Sequence, residues 1–263
     1  MAAVYDLSTG RVSIGRILSR AFGAITGNPG VTLSIALLFG ALPQAGFTYL
    51  QRVLVRSDRI GPLNTATIVA AVLSAAFVGI VLALVVQGGL VRATMAEMEG
   101  DHASFGQCVA SGFSRILPML GIGILVSIGL CVGLLLLVVP GIIFYLMYTV
   151  AVPVTVVERR GVIASMSRSG DLTKGARGII FALMLIVWAV TIGTGLLSGV
   201  GSTAIVGMDG MTPAAREWLA FAVDVVATTL VTVFSSAIPT ALYVELREWK
   251  EGPITDTLSE IFA

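Results

Sequence analysis

The sequence predicts an all-α membrane protein: six transmembrane helices, with amphipathic helices lying at one membrane surface. Three observations predict it. Of the 263 residues, 56% are apolar and only 12% are Asp, Glu, Lys or Arg, about half the charge of a soluble domain. Those charges fall between long uncharged runs. Thirty glycines suit helices that approach backbone to backbone, as lipid-embedded helices do. A mean hydropathy of +0.97 argues against a soluble enzyme. A net charge of +1 lacks the basic excess of a nucleic-acid binder, so no nucleic-acid partner is expected.

Charges are costly in hydrocarbon, so the uncharged runs locate the spans. Residues 21–51, 60–91, 116–157 and 178–208 contain no Asp, Glu, Lys or Arg, and 218–244 contains only Asp224. Each exceeds the roughly 20 residues needed to cross. The third run is long enough for two crossings and contains Pro140-Gly141, a turn dipeptide that predicts a tight hairpin. The spans are placed at 31–51, 65–88, 117–139, 141–158, 178–200 and 217–244. One polytopic domain covers 1–263. Its N-terminal interfacial helix lies within 1–30, and its bundle over 31–244 includes interfacial segments 92–116 and 159–177. The tail is 245–263.

Six spans put both termini on one side. Twelve basic residues share that side: Arg11, Arg16, Arg20, Arg92, Arg115, Arg159, Arg160, Arg168, Lys174, Arg177, Arg247 and Lys250. Arg52, Arg56, Arg59 and Arg216 lie on the other. The excess predicts cytoplasmic termini. Arg11, Arg16 and Arg20 interrupt the N-terminal stretch, which is therefore read as retained and not as a cleaved signal. Trp218, Tyr243 and Trp249 are expected at the interfaces, and Thr212-Pro213 as the cap and first turn of the last helix.

Ile14, Ile17, Leu18, Ala21, Phe22 and Ile25 share one helical face, with Ser13, Arg16 and Arg20 opposite. Such a helix suits the headgroup layer. The same offsets recur ninety-one residues later in Phe105, Cys108, Val109, Gly112, Phe113 and Ile116. Gly161 to Arg177 also precedes two spans but lacks the apolar face. Two readings stand: three units of interfacial helix plus hairpin about an axis along the membrane normal, or independent amphipathic helices.

Catalytic chemistry has no visible constellation, and neither enzymatic activity nor a cofactor is expected. His102, the single histidine, sits beside Glu97, Glu99 and Asp101 in a polar turn, and a metal site would want more ligands. Cys108 and Cys131 are expected on different levels, hence unbridged. Asp224 lies inside the sixth span, where a carboxylate must be paired, hydrated or protonated. It is a candidate intramembrane polar site, with Gln44 after Pro43 as a possible helper. Thr228, Thr229, Thr232, Ser235 and Ser236 continue a polar stripe whose hydroxyls usually bond to the preceding turn. Gly129 with Gly133, and Gly195 with Gly199, have spacing for close helix packing.

Arg159, Arg160, Arg168, Ser169, Lys174 and Arg177 form a candidate surface for an anionic headgroup or a partner; anchoring by positive charge explains the same residues with no ligand at all. Pro153-x-x-x-x-Glu158, Ala164, Arg168-Ser169-x-x-Leu172-Thr173-Lys174-Gly175 and Tyr243-x-Glu245-Leu246-Arg247-x-x-x-Glu251-Gly252 resemble the bacterial glycerophosphoryl diester phosphodiesterase membrane-domain family. The resemblance implies a six-helix module of the bacterial inner membrane. In that family the hydrolase is a separate soluble barrel, for which this chain has no residues. Glu158 is expected to pair with Arg168 or Arg247 beneath the bundle. The functional expectation is a non-catalytic module that binds membrane lipids or a protein partner, including a second copy, at its cytoplasmic face. A small transporter or channel using Asp224, and a regulatory subunit for a soluble enzyme, are the alternatives.

Overall fold

The computed structural model describes residues 12–48, 65–206 and 210–252. Arg11, Arg52, Arg56, Arg59, the end of the expected first span and most of the expected tail lie outside them. Every regular element among the described residues is helical. In chain order they are α1 (Ile14–Gly27), α2 (Pro29–Thr48), α3 (Thr65–Met98), α4 (Phe105–Ser114), α5 (Ile116–Leu136), α6 (Val138–Tyr148), α7 (Ala151–Val157), α8 (Val162–Thr173), α9 (Arg177–Val206) and α10 (Pro213–Glu251). Six helical segments are long and apolar enough to cross a membrane, with α6 and α7 together forming the fourth. The chain is an all-α membrane protein. Leu117, Leu135 and Leu197 leave most of their surface outside the bundle, as expected of side chains solvated by lipid.

Local sequence sets the breaks. Asn28 caps α2 by accepting from the Val31 amide, with Pro29 in the first turn. Pro43 lacks an N–H, and its ring crowds the carbonyl four residues back; a π-helical stretch at Ala36–Ala41 ends just before it. Thr212 accepts from the Ala215 amide ahead of Pro213, the cap expected for α10. The hairpin between the third and fourth spans differs from expectation. Its break is Leu137, which is extended, and Pro140 lies in the first turn of α6, where proline removes no helical hydrogen bond. Gly141 then lies against Gly133 so closely that a Cβ on either would overlap the opposite backbone. The Phe144 ring fills the space beside Gly129, so the small residues of α5 pack on α6. Gly195 and Gly199 of α9 have no neighbour within 4 Å of an added Cβ.

Each of α1, α4 and α8 precedes a pair of spans. The core gathers at their end of the bundle, called the basic end below. It joins Ile17 and Ala21 of α1, Val91 and Met95 of α3, Val150 and Val154 of α7, Leu172 of α8, Ile180 and Leu183 of α9, and Leu242, Tyr243 and Leu246 of α10. The centre of the apolar face of α1, at Ile17 and Ala21, is therefore covered by protein, where lipid was expected. Its counterpart α4 behaves alike. Ile17 and Cys108 are fully buried, Ala21 and Gly112 are buried, and Phe22 and Phe113 are each 52% exposed. Gly112 brings the α4 backbone against Val85 and Gly88 of α3.

These short helices also explain why α3 and α10 outrun their apolar segments. Hydropathy marks where charge begins, but Ala93, Met95 and Ala96 remain buried beyond Arg92, and Leu246 remains buried beyond Glu245. Both stretches were expected outside the spans. They continue as helix because α1 and α4 cover them. Tyr243 is likewise a core residue and not an interfacial ring, because its hydroxyl reaches the half-buried carboxylate of Glu158.

Candidate functional site

At the basic end, α10 carries its acids into contact with arginines from both sides. Glu245 is 3% exposed. Its Oε1 accepts from Arg16 Nε at 2.8 Å and lies 2.6 Å from Arg16 Nη2, while its Oε2 lies 3.4 Å from Arg20 Nη1. The Ser13 amide also donates to Glu245, at 3.3 Å. Arg20 reaches Glu248 at 2.7 Å. Burying a carboxylate requires such compensation, and the arginines opposite the apolar face of α1 supply it.

The opposite flank is built around Glu158, the C-cap of α7. Arg160 Nε lies 2.6 Å from Glu158 Oε2, Arg168 Nε donates to Oε1 at 3.1 Å, and the Tyr243 hydroxyl donates to Oε1 at 3.1 Å. Arg168 also binds Glu251, which accepts from Arg247 at 3.3 Å. Of the two partners expected for Glu158, Arg168 makes the contact and Arg247 pairs with Glu251 instead. Ser169 donates to the Met147 carbonyl at 2.7 Å, satisfying an acceptor freed where α6 ends. Ser165, Ser169, Leu172 and Thr173 form the buried face of α8. That face is mainly hydroxyl-bearing, so an apolar periodicity search does not see it.

The six residues expected to form one anionic-ligand surface are thus divided. Arg160 and Arg168 hold carboxylates, and Ser169 holds a backbone carbonyl. Lys174 is exposed at the end of α8, and Arg177 opens α9 half-buried. Arg159 goes elsewhere. It has φ 53°, the one positive φ at a non-glycine position among the described residues. A left-handed residue ends many helices, but the position usually belongs to glycine. Glu158 meets α8 and α10, while Arg159 lines a cavity with α3, α4 and the start of α5.

That cavity has a volume of about 700 Å³. Three arginines line it: Arg92 at the end of the uncharged run in α3, Arg115 just before the run that begins α5, and Arg159 two residues after that run ends. Arg115 donates to the Arg159 carbonyl at 3.4 Å. None of the three has a carboxylate within ion-pair distance among the described residues. Glu99, Gln107, Ser111 and Ser114 add polar groups, and Met95, Val156 and Val157 add apolar ones. Arg92 and Arg115 were placed on this side of the membrane by the sequence. Their convergence with Arg159 was hidden, because the three are spread over 68 positions of chain.

The intramembrane candidates sit apart from each other. Asp224, half-buried on α10, accepts from Ser198 of α9 at 3.4 Å. Gln44 is exposed on α2, and no contact joins it to Asp224 among the described residues. Thr229 and Thr232 donate to carbonyls one turn back, which accounts for part of the polar stripe within the helix itself. His102 meets Glu97 at 2.8 Å. Both cysteines are free. No family model, curated protein or solved structure matches the chain.

Proposed function

We propose that this chain is a non-catalytic module of the bacterial inner membrane, with cytoplasmic termini, that binds anionic lipid at its cytoplasmic face. The observation that carries the reading is the meeting of Arg92, Arg115 and Arg159 in one cavity where, among the described residues, none of them has a carboxylate within ion-pair distance. Guanidinium groups bind phosphate and carboxylate oxygens through charge-assisted, often paired hydrogen bonds. Neighbouring arginines at the same end are neutralised by Glu158, Glu245, Glu248 and Glu251. The motifs that resemble the glycerophosphoryl diester phosphodiesterase membrane-domain family supply much of that paired frame. The transport reading rests on Asp224 and its long hydrogen bond from Ser198, and is ranked second because one hydroxyl contact offers a solute less than three converging cations.

Native mass spectrometry after mild extraction tests the proposal. The protein should retain anionic lipid in preference to zwitterionic lipid, and Arg92→Gln with Arg115→Gln should abolish the preference. Lys250→Gln, which removes a charge from the same end outside the cavity, should not. Equal retention of both lipid classes by the unaltered protein would sink the reading.

A further inference from the structure

We propose that the cavity lined by Arg92, Arg115 and Arg159 seats the phosphomonoester headgroup of a membrane lipid, a group bearing close to two negative charges. The inference rests on the lipid-binding reading above and narrows it to one headgroup chemistry. Three features of the cavity support the choice.

The first is charge. Three guanidinium groups face one carboxylate, Glu99, leaving two positive charges to be balanced. A phosphomonoester, with a second pKa near 6, carries about −1.5 to −2 at neutral pH. A phosphodiester carries one charge and leaves a cation unmatched. The second is depth. Each arginine flanks the end of an uncharged run, so the three guanidinium groups belong to the level where apolar helix gives way to polar chain, the level of lipid phosphates. The third is the apolar part of the lining. Met95 and Val156 are buried and Val157 is half-buried, a surface suited to a glyceride backbone. Free phosphate has no use for it.

The polar rim completes the fit. Gln107 and Ser111 offer donors to phosphate oxygens that the arginines leave unfilled, while the Ser114 hydroxyl donates to the Ser111 carbonyl at 2.9 Å. Glu99 is exposed and repels additional negative charge. Glu99→Gln should therefore tighten binding of the dianion several-fold, because a like charge is removed from the same cavity.

The test uses the full chain, delipidated in a mild non-ionic detergent and titrated with phosphatidate, phosphatidylglycerol or phosphatidylcholine while bound lipid is read by native mass spectrometry. Phosphatidate should bind about tenfold tighter than phosphatidylglycerol, the value of one additional charge-assisted contact. Arg92→Gln and, separately, Arg115→Gln should each weaken phosphatidate about tenfold, with melting temperature recorded to confirm folding. Lowering the pH through 6 should weaken phosphatidate and leave phosphatidylglycerol unchanged, because only the monoester loses a charge there. Excess inorganic phosphate should not displace the lipid.

The outcomes separate the two levels of the argument. Equal affinity for phosphatidate and phosphatidylglycerol, both lost in Arg92→Gln, would overturn the monoester assignment and leave anionic-lipid binding standing. No preference for either over phosphatidylcholine would overturn both. Displacement by inorganic phosphate at comparable concentration would show that the seat takes free phosphate, and would overturn the lipid source.

Discussion

Arg159 combines a strained backbone with a charge that has no carboxylate partner among the described residues, and the two can be separated by substitution. A non-glycine residue in the left-handed region costs roughly 1–2 kcal/mol, because Cβ crowds the following carbonyl. Glycine removes that cost but loses more unfolded-chain entropy, which offsets about 0.5–1 kcal/mol of the gain. Alanine keeps the Cβ and the strain while deleting the guanidinium. Arg159→Gly should therefore be more stable than Arg159→Ala by about 1 kcal/mol, a difference of roughly 2–4 °C in melting temperature for a chain of this size. Thermal unfolding in lipid-free detergent measures it. Both variants should lose anionic lipid about equally, since both lack the charge. An alanine variant that melts as high as the glycine variant would show that φ 53° carries no cost. Full lipid retention by either would remove Arg159 from the seat.

The remaining predictions concern the frame. Glu245→Gln leaves Arg16 and Arg20 without their buried counter-charge and should cost about 2–4 kcal/mol, read as a lower melting temperature; a change within error would mean that α1 is held by apolar packing alone. Glu158→Gln disturbs contacts to Arg160, Arg168 and Tyr243 and should destabilise by about 1–3 kcal/mol, more than Tyr243→Phe, which removes one donor. Gly112→Ala drives a methyl into the Val85 carbonyl and should cost about 1–3 kcal/mol. Gly106→Ala, on the same helix with open space around it, should be neutral or stabilising by up to about 1 kcal/mol; equal effects at the two positions would contradict the close approach of α4 to α3. The hydrogen bond and charge of Glu97 raise the pKa of His102. A raised pKa means that the folded state holds the proton more tightly. The contribution is complete below the ordinary histidine value of about 6.5 and fades as pH rises through the raised one. His102→Ala should flatten that part of the stability–pH curve, and an identical slope would assign it to another group.

Much of the bundle was legible because lipid imposes a simple constraint. Charge-free runs marked all six spans, and Thr212-Pro213 marked the start of α10. The harder features arise where backbone meets backbone or polar side chains are buried. Pro140-Gly141 suggested the hairpin turn, but proline is at ease in a first helical turn, and the break fell at Leu137. The shared offsets of α1 and α4 correctly grouped residues on one face, yet periodicity does not specify whether lipid or protein covers that face. α8 went unmatched because a helix can also be buried through Ser165, Ser169 and Thr173, provided some of those hydroxyls find acceptors such as the Met147 carbonyl.

The candidate site tests how far positive charge at a membrane surface can be interpreted. A count assigns Arg16, Arg92, Arg160 and Arg168 the same anchoring role, because it records only the side on which each falls. The structure separates them by what neutralises them. Arg16, Arg160 and Arg168 hold carboxylates, so their charges are accounted for by the fold. Arg92, Arg115 and Arg159 come from three span ends and line the same space without such partners among the described residues. Anchoring requires basic residues somewhere around the perimeter and makes no demand that they converge, or that one adopt a left-handed backbone. A phosphate seat makes the first demand directly and gives the second a reason, since the turn at Arg159 lets Glu158 serve the ion-pair frame while its neighbour serves the cavity.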